Sequence, residues 1–183
     1  DVERLGLIPD PADRDGLPIV LATSVPADVG VVSGQMVGFS CAACHTGLLT
    51  YQGRRILVEG GAGLVDAERF ERELMASIDA TLKSPTELAA FVVRLHRERK
   101  DNPRGGQGVS ENPAEVAASL GTRFVFFKRA REMMDRSRRT EPGYGRIDAF
   151  GTSRNLLYPE SPVPLTAPVR YPKVWQAYRH KWL

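Results

Sequence analysis

The sequence predicts a mainly α chain with one small β-hairpin and long irregular segments rich in proline and glycine. Three observations predict this. Three stretches place apolar residues at helical spacing behind residues that cap helices. Gln52-Gly53-Arg54 separates two short β-forming runs. Prolines crowd the two ends of the chain, where no period is sustained. With 183 residues, 42% of them hydrophobic and 26% charged, residues 1–183 are expected to form one globular domain with a buried core.

The elements follow in order. Residues 1–35, rich in Pro, Gly and Asp, read as an irregular arm with turns such as Asp15-Gly16. Residues 36–142 read as the core. It opens with a short helix around the chain's two cysteines. Leu48-Leu49-Thr50-Tyr51 and Arg55-Ile56-Leu57-Val58 then form the hairpin. Asp66 is the N-cap of the first long helix, whose stripe is Phe70, Leu74, Ile78 and Leu82. Ser84-Pro85-Thr86-Glu87 is a capping box with proline at the first helical position. The face behind it is Leu88, Phe91, Val92 and Leu95. Residues 101–111 are a Gly-rich linker. The third helix starts at Asn112-Pro113 and carries Val116, Leu120, Phe127, Ala130 and Met134, with Gly121 as its weak point. Residues 143–183 read as a wrap. Prolines 159, 162, 164, 168 and 172 argue against regular helix from Gly143 to Pro172, and a short helix closes the chain near 174–182.

Charge excludes some partners. Twelve Lys/Arg face six Asp/Glu between Arg94 and Arg139, a local +6 inside a formal net charge of +3. This segment is a solvated helix face, or a face, including Arg129, Arg131 and Arg136, that docks an acidic redox partner. Its arginines join no nucleic-acid motif, so nucleic acid is not expected as a partner. No apolar run reaches about 18 residues, so no membrane span is expected.

Chemistry concentrates in Cys41-Ala42-Ala43-Cys44-His45, the C-x-x-C-H pattern of haem c attachment. Two thiols one helical turn apart reach the two vinyl groups on one porphyrin edge. The next residue, a histidine, gives its imidazole to the iron. Alanines between them leave the macrocycle room. A thioredoxin-type dithiol needs the motif behind a buried central strand, which Ser33–Gly38 does not resemble. A zinc site needs a fourth ligand, and no further cysteine exists. The remaining alternative is a chance grouping of two thiols and an imidazole. The reading is a cytochrome c-like haem domain with one haem c per chain and His45 as the metal ligand. Candidates for the sixth ligand are His96, His180, Met36, Met75, Met133 and Met134, with Met134 read as core; an open position is the alternative.

Longer strings carry a resemblance. Val37–Gly47, Tyr51-Gln52-Gly53 and Val58–Gly61, then Gly143–Gly151, then Ala167–Trp175, resemble in order the first-haem half of a known family. That family is the di-haem c-type cytochromes related to bacterial cytochrome c peroxidase and rubber oxygenase. The resemblance implies a periplasmic or extracellular protein and a partner that is a redox protein or a second haem domain. It also implies a second C-x-x-C-H beyond residue 183. By the same resemblance Trp175 lies near the haem edge or the inter-haem path. Arg146 reads as a haem-propionate partner, because a guanidinium fork matches a carboxylate, or as half of an Arg146–Asp148 pair holding the wrap. The expected function is electron transfer. A peroxidase- or oxygenase-like haem enzyme with an open distal site, or half of a di-haem enzyme, is the alternative.

Overall fold

The computed structural model describes residues 3–13, 16–24, 36–101 and 112–175, without the side chains of 99–101. Asp15, residues 102–111, His180 and residues 176–182 of the expected closing helix lie outside them. The described chain is mainly α with small antiparallel sheets. Its order is β1 (Leu21–Ser24), β2 (Met36–Phe39), α1 (Cys41–His45), β3 (Thr46–Tyr51), β4 (Arg54–Glu59), α2 (Ala67–Lys83), α3 (Pro85–Asp101), α4 (Pro113–Ser137), β5 (Arg146–Ile147), α5 (Ala149–Leu157) and β6 (Val169–Arg170). The sheets are three separate pairs, β1–β2, β3–β4 and β5–β6. Among the described residues no helix is long and apolar enough to cross a membrane.

The helix starts fall where the capping residues stand. Asp66 Oδ1 accepts from Arg69 N at 3.0 Å, Ser84 Oγ from Glu87 N at 3.2 Å, and Asn112 Oδ1 from Ala114 N at 3.0 Å. Each answers one backbone donor that a helix start leaves without an intrahelical partner. The hairpin is tighter than its sequence suggests. β3 and β4 pair from Thr46↔Glu59 to Tyr51↔Arg54, so only Gln52 and Gly53 turn. Both have positive φ, 48° and 74°, as a two-residue type I′ turn requires, and Gly53 adopts its angle without strain.

One expectation is corrected. Residues 143–172 are not free of helix, because α5 occupies Ala149–Leu157. The prolines begin only at 159, and Asp148 caps the helix by accepting from Gly151 N at 3.0 Å.

The chain divides into two compact units. Unit 1 takes Asp1–Ala22, Val37–Phe70 and Arg138–Leu183. Its core is Leu5, Leu7, Val20, Ala43 and Val65, with Phe70 packed against it. Residues of the expected arm therefore build the core under the cysteine helix, each large side chain contributing about 1.5–3 kcal/mol by leaving water. A buried ion pair, Arg138 Nη2 to Glu68 Oε2 at 2.6 Å, ties the start of α2 to the chain after α4. Asn155, fully buried on α5, holds the proline-rich stretch. Its Nδ2 donates to Val163 O at 2.9 Å and its Oδ1 accepts from Val163 N at 2.7 Å. Asn155→Ala strips both bonds from a buried backbone and is expected to cost about 2 kcal/mol, read as a lower urea midpoint with unchanged slope.

Unit 2 takes Thr23–Met36 and Glu71–Ser137. Val92 of α3 and Val116 and Met134 of α4 are buried, as their stripes require. Phe127 is not: it is 53% exposed. Arg131 instead occupies an inward position, 7% exposed, with Asp135 at 3.0 and 2.8 Å and Glu71 at 3.4 Å. A charge so buried and paired is structural, which removes Arg131 from the docking face expected of the basic segment.

Candidate functional site

The cysteine motif is one helical turn fastened at both ends. Ser40 caps α1: its Oγ accepts from Ala42 N at 3.2 Å and donates to Ile19 O at 3.3 Å. Ala43 points into the unit 1 core at 3% exposure, which turns the rest of the helix outward. The closing carbonyls are met by glycine amides, Gly63 N to Cys44 O and Gly60 N to His45 O, each at 2.8 Å. Cys41 and Cys44 are free thiols, the first exposed and the second half-buried. At i and i+3 they share one side of the turn.

His45 has a defined tautomer. Its Nδ1 lies 2.9 Å from Pro172 O. A carbonyl only accepts, so Nδ1 is the donor here, and in the neutral ring Nε2 is then the nitrogen with the free lone pair. This is the outer-shell arrangement that orients an imidazole ligand at a metal site.

The segment that supplies Pro172 is anchored throughout. Tyr171 N donates to Gly145 O at 3.3 Å, Val174 N to Gly60 O at 2.9 Å, and the Trp175 indole to Glu59 O at 2.8 Å. Trp175 lies on Gly60, where a Cβ would stand 2.6 Å from the indole Cδ1. Lys173 Nζ sits 5.1 Å from the centre of the Trp175 ring. Tyr171 hydrogen-bonds Cys44 through its side chain. Burial pushes the Cys44 thiol above the usual range, opposed by the Tyr171 bond and aided by the neighbouring Cys41. Burial and then the Cys44 charge push Tyr171 up as well. Since the thiolate is the reactive form, iodoacetamide at pH 8 is expected to label Cys41 before Cys44 in the unmodified chain, as read by peptide mass mapping.

Arg146 and Arg170 stand directly opposite each other across β5–β6, both exposed. Asp148 is not an ion-pair partner of Arg146. Its carboxylate caps α5 and accepts from Ala167 N at 3.0 Å, so the structural Arg146–Asp148 pair is absent among the described residues. β2 is exposed along its whole length and belongs to a two-stranded sheet, unlike the buried strand of a dithiol redox fold. Among the described residues no group of three or more His, Cys, Asp or Glu gathers to hold a metal ion. Met36, Met75, Met133, Met134 and His96 all belong to unit 2, and Met134 is buried there as core. Sequence reasoning missed Tyr171, Pro172, Gly60 and Gly63. Pro172 and the glycines act through backbone atoms alone, and only the glycine-rich string beside the motif signals them.

No family model matches the chain, and no solved structure matches it. The chain is similar to an uncharacterized protein, y4iJ, of Sinorhizobium fredii (strain NBRC 101917 / NGR234), 28% identical over 200 residues. The match takes in 100% of this chain and 32% of that protein, so the chain spans about a third of the length of the curated relative it matches.

Proposed function

We propose that this chain is a cytochrome c-like domain that binds one haem c through Cys41 and Cys44, uses His45 as the iron ligand, and transfers electrons in a periplasmic redox system. One observation carries the reading. The two thiols of the motif share a helical turn, and the next residue's imidazole is held through Nδ1 with Nε2 left for a metal. The surroundings suit the group. Unit 1 leaves Phe39, Leu49, Phe150, Leu157 and Val169 between 47% and 91% exposed, apolar side chains of the kind a flat macrocycle would cover. Haem c supplies a one-electron couple. Cys41 and Cys44 would hold it by two thioethers, and the Pro172 carbonyl would orient the His45 ring that meets it.

The resemblance to di-haem cytochromes related to bacterial cytochrome c peroxidase and rubber oxygenase extends the proposal to a redox partner protein or a second haem domain. The same resemblance carries a second reading, a peroxidase- or oxygenase-like enzyme with an open iron position. The test is secretion into a periplasm with cytochrome c maturation machinery, then mass and optical spectra. One haem per chain, linked by two thioethers, in the periplasmic fraction supports the proposal. Mature chain without haem, or holoprotein only in cytosol, overturns it. A low-spin spectrum unmoved by carbon monoxide or cyanide supports electron transfer, whereas a high-spin spectrum that shifts supports the enzyme.

A further inference from the structure

We infer that Arg146 and Arg170 together form a two-cation site for a pair of carboxylates, and that on the haem reading above these are the two propionates. In an antiparallel pair, residues in direct register project to the same face with Cβ atoms about 5 Å apart. Arg146 and Arg170 are such a pair, and both are exposed. Like charges in that position repel. A strand pair of only two residues on each side has little backbone bonding to offset the repulsion.

The obvious local neutraliser is committed elsewhere. Both Asp148 oxygens accept from backbone amides, Gly151 N and Ala167 N. Among the described residues neither arginine has a carboxylate within ion-pair distance. No carboxylate of the described residues answers the two forks, and planar bidentate donors select carboxylate or phosphate oxygens.

Position ties the pair to the cysteine motif. Arg170 is two residues before Pro172, whose carbonyl orients His45, and Tyr171 between them bonds Cys44. Arg146 follows Gly145, whose N donates to Val65 O at 3.1 Å and whose O accepts from Tyr171 N. One short ribbon therefore carries the histidine's orienting group and the two cations. Haem has its vinyl groups on one edge and its two propionates on the other. On the haem reading the opposite edge presents a pair of carboxylates, the class of anion that two arginine forks select.

The same chemistry is offered by a free dianion, and the experiment separates the sources. The full chain is made with and without maturation machinery, as wild type, R146Q/R170Q, R170K and R170E. In the holoprotein, R146Q/R170Q is expected to lower the midpoint potential, because removing cations favours the more positive oxidised iron, and the drop is largest at low salt. R170K keeps the charge and is expected to hold most of the wild-type potential. In the haem-free chain, phosphate at fixed ionic strength is expected to raise the melting temperature of wild type more than that of R146Q/R170Q. R170E faces Arg146 with a carboxylate and is expected to melt higher than wild type without phosphate while losing the phosphate response.

A holoprotein whose potential is the same in R146Q/R170Q and wild type, at low and high salt, overturns the propionate assignment. A phosphate response retained by R146Q/R170Q overturns the cation site itself. Failure of wild type to acquire haem sinks the haem reading alone, because the phosphate arm still reports on the arginine pair and a positive result there assigns it to a free dianion.

Discussion

On the proposed attachment, replacing both Cys41 and Cys44 with serine is expected to remove covalently bound haem to background in secreted material, while the fold survives. The thiol sulfur adds to a vinyl group to give a stable thioether, and a serine hydroxyl is too weak a nucleophile to do so. Neither sulfur supports the core. Cys41 is exposed and Cys44 half-buried, and the unit 1 core meets the helix through Ala43. Haem loss without unfolding is therefore the expected signature, measured as intact mass, peroxidase-stained gel and circular dichroism on one sample. Each single serine variant keeps one thioether and shifts the reduced absorption band, because one vinyl group stays conjugated with the ring. On the same proposal His45→Met is expected to keep both thioethers and to raise the midpoint potential, because a thioether sulfur replaces the imidazole as iron ligand. Undiminished haem in the double serine variant contradicts the proposed attachment outright.

How far the sequence shows this site depends on which atoms do the work. The motif is legible because side chains carry it: two sulfurs and an imidazole at fixed spacing. The helix starts are legible for the same reason, since Asp66, Ser84 and Asn112 cap with side-chain oxygens. The tautomer of His45 is set by the carbonyl of Pro172, 127 positions away, and any residue possesses a carbonyl. Prolines beyond Leu157 hid α5, although Ala149–Leu157 itself contains none. Phe127 fits a helical stripe by period, yet Arg131 with Asp135 and Glu71 fills the inward place. A paired arginine buries what periodicity assigns to apolar side chains. The register that opposes Arg146 to Arg170 joins strands 24 residues apart and has no local signal at all.

Gly63→Ala is expected to cost about 2–4 kcal/mol and to loosen the cysteine-motif helix. Gly63 crosses the end of α1 backbone to backbone. An added Cβ would enter the Ala43 carbonyl oxygen and lie 3.0 Å from the Ala43 carbonyl carbon and 3.1 Å from that of Cys44. Those atoms are main chain, so no rotamer change relieves the contact, and the segments must separate. Separation breaks Gly63 N to Cys44 O, a 2.8 Å bond that closes the helix just before His45. The glycine also admits a second crossing on its other side, where a Cβ on Gly145 would enter the Gly63 carbonyl oxygen. Overpacking of about 1–3 kcal/mol adds to a lost buried hydrogen bond of about 1 kcal/mol. Gly121→Ala is the control. Gly121 lies inside α4 with nothing within 4 Å of an added Cβ, so the same methyl should stabilise by about 0.5–1 kcal/mol through helix propensity. Urea unfolding of the two variants therefore moves in opposite directions from wild type. The Gly63 variant should also expose Cys44 to alkylation under native conditions, because the carbonyl it carries loses the amide that fixed it. A Gly63→Ala chain as stable as wild type, with Cys44 still slow to label, would mean that the glycine crossing does not hold the motif in place.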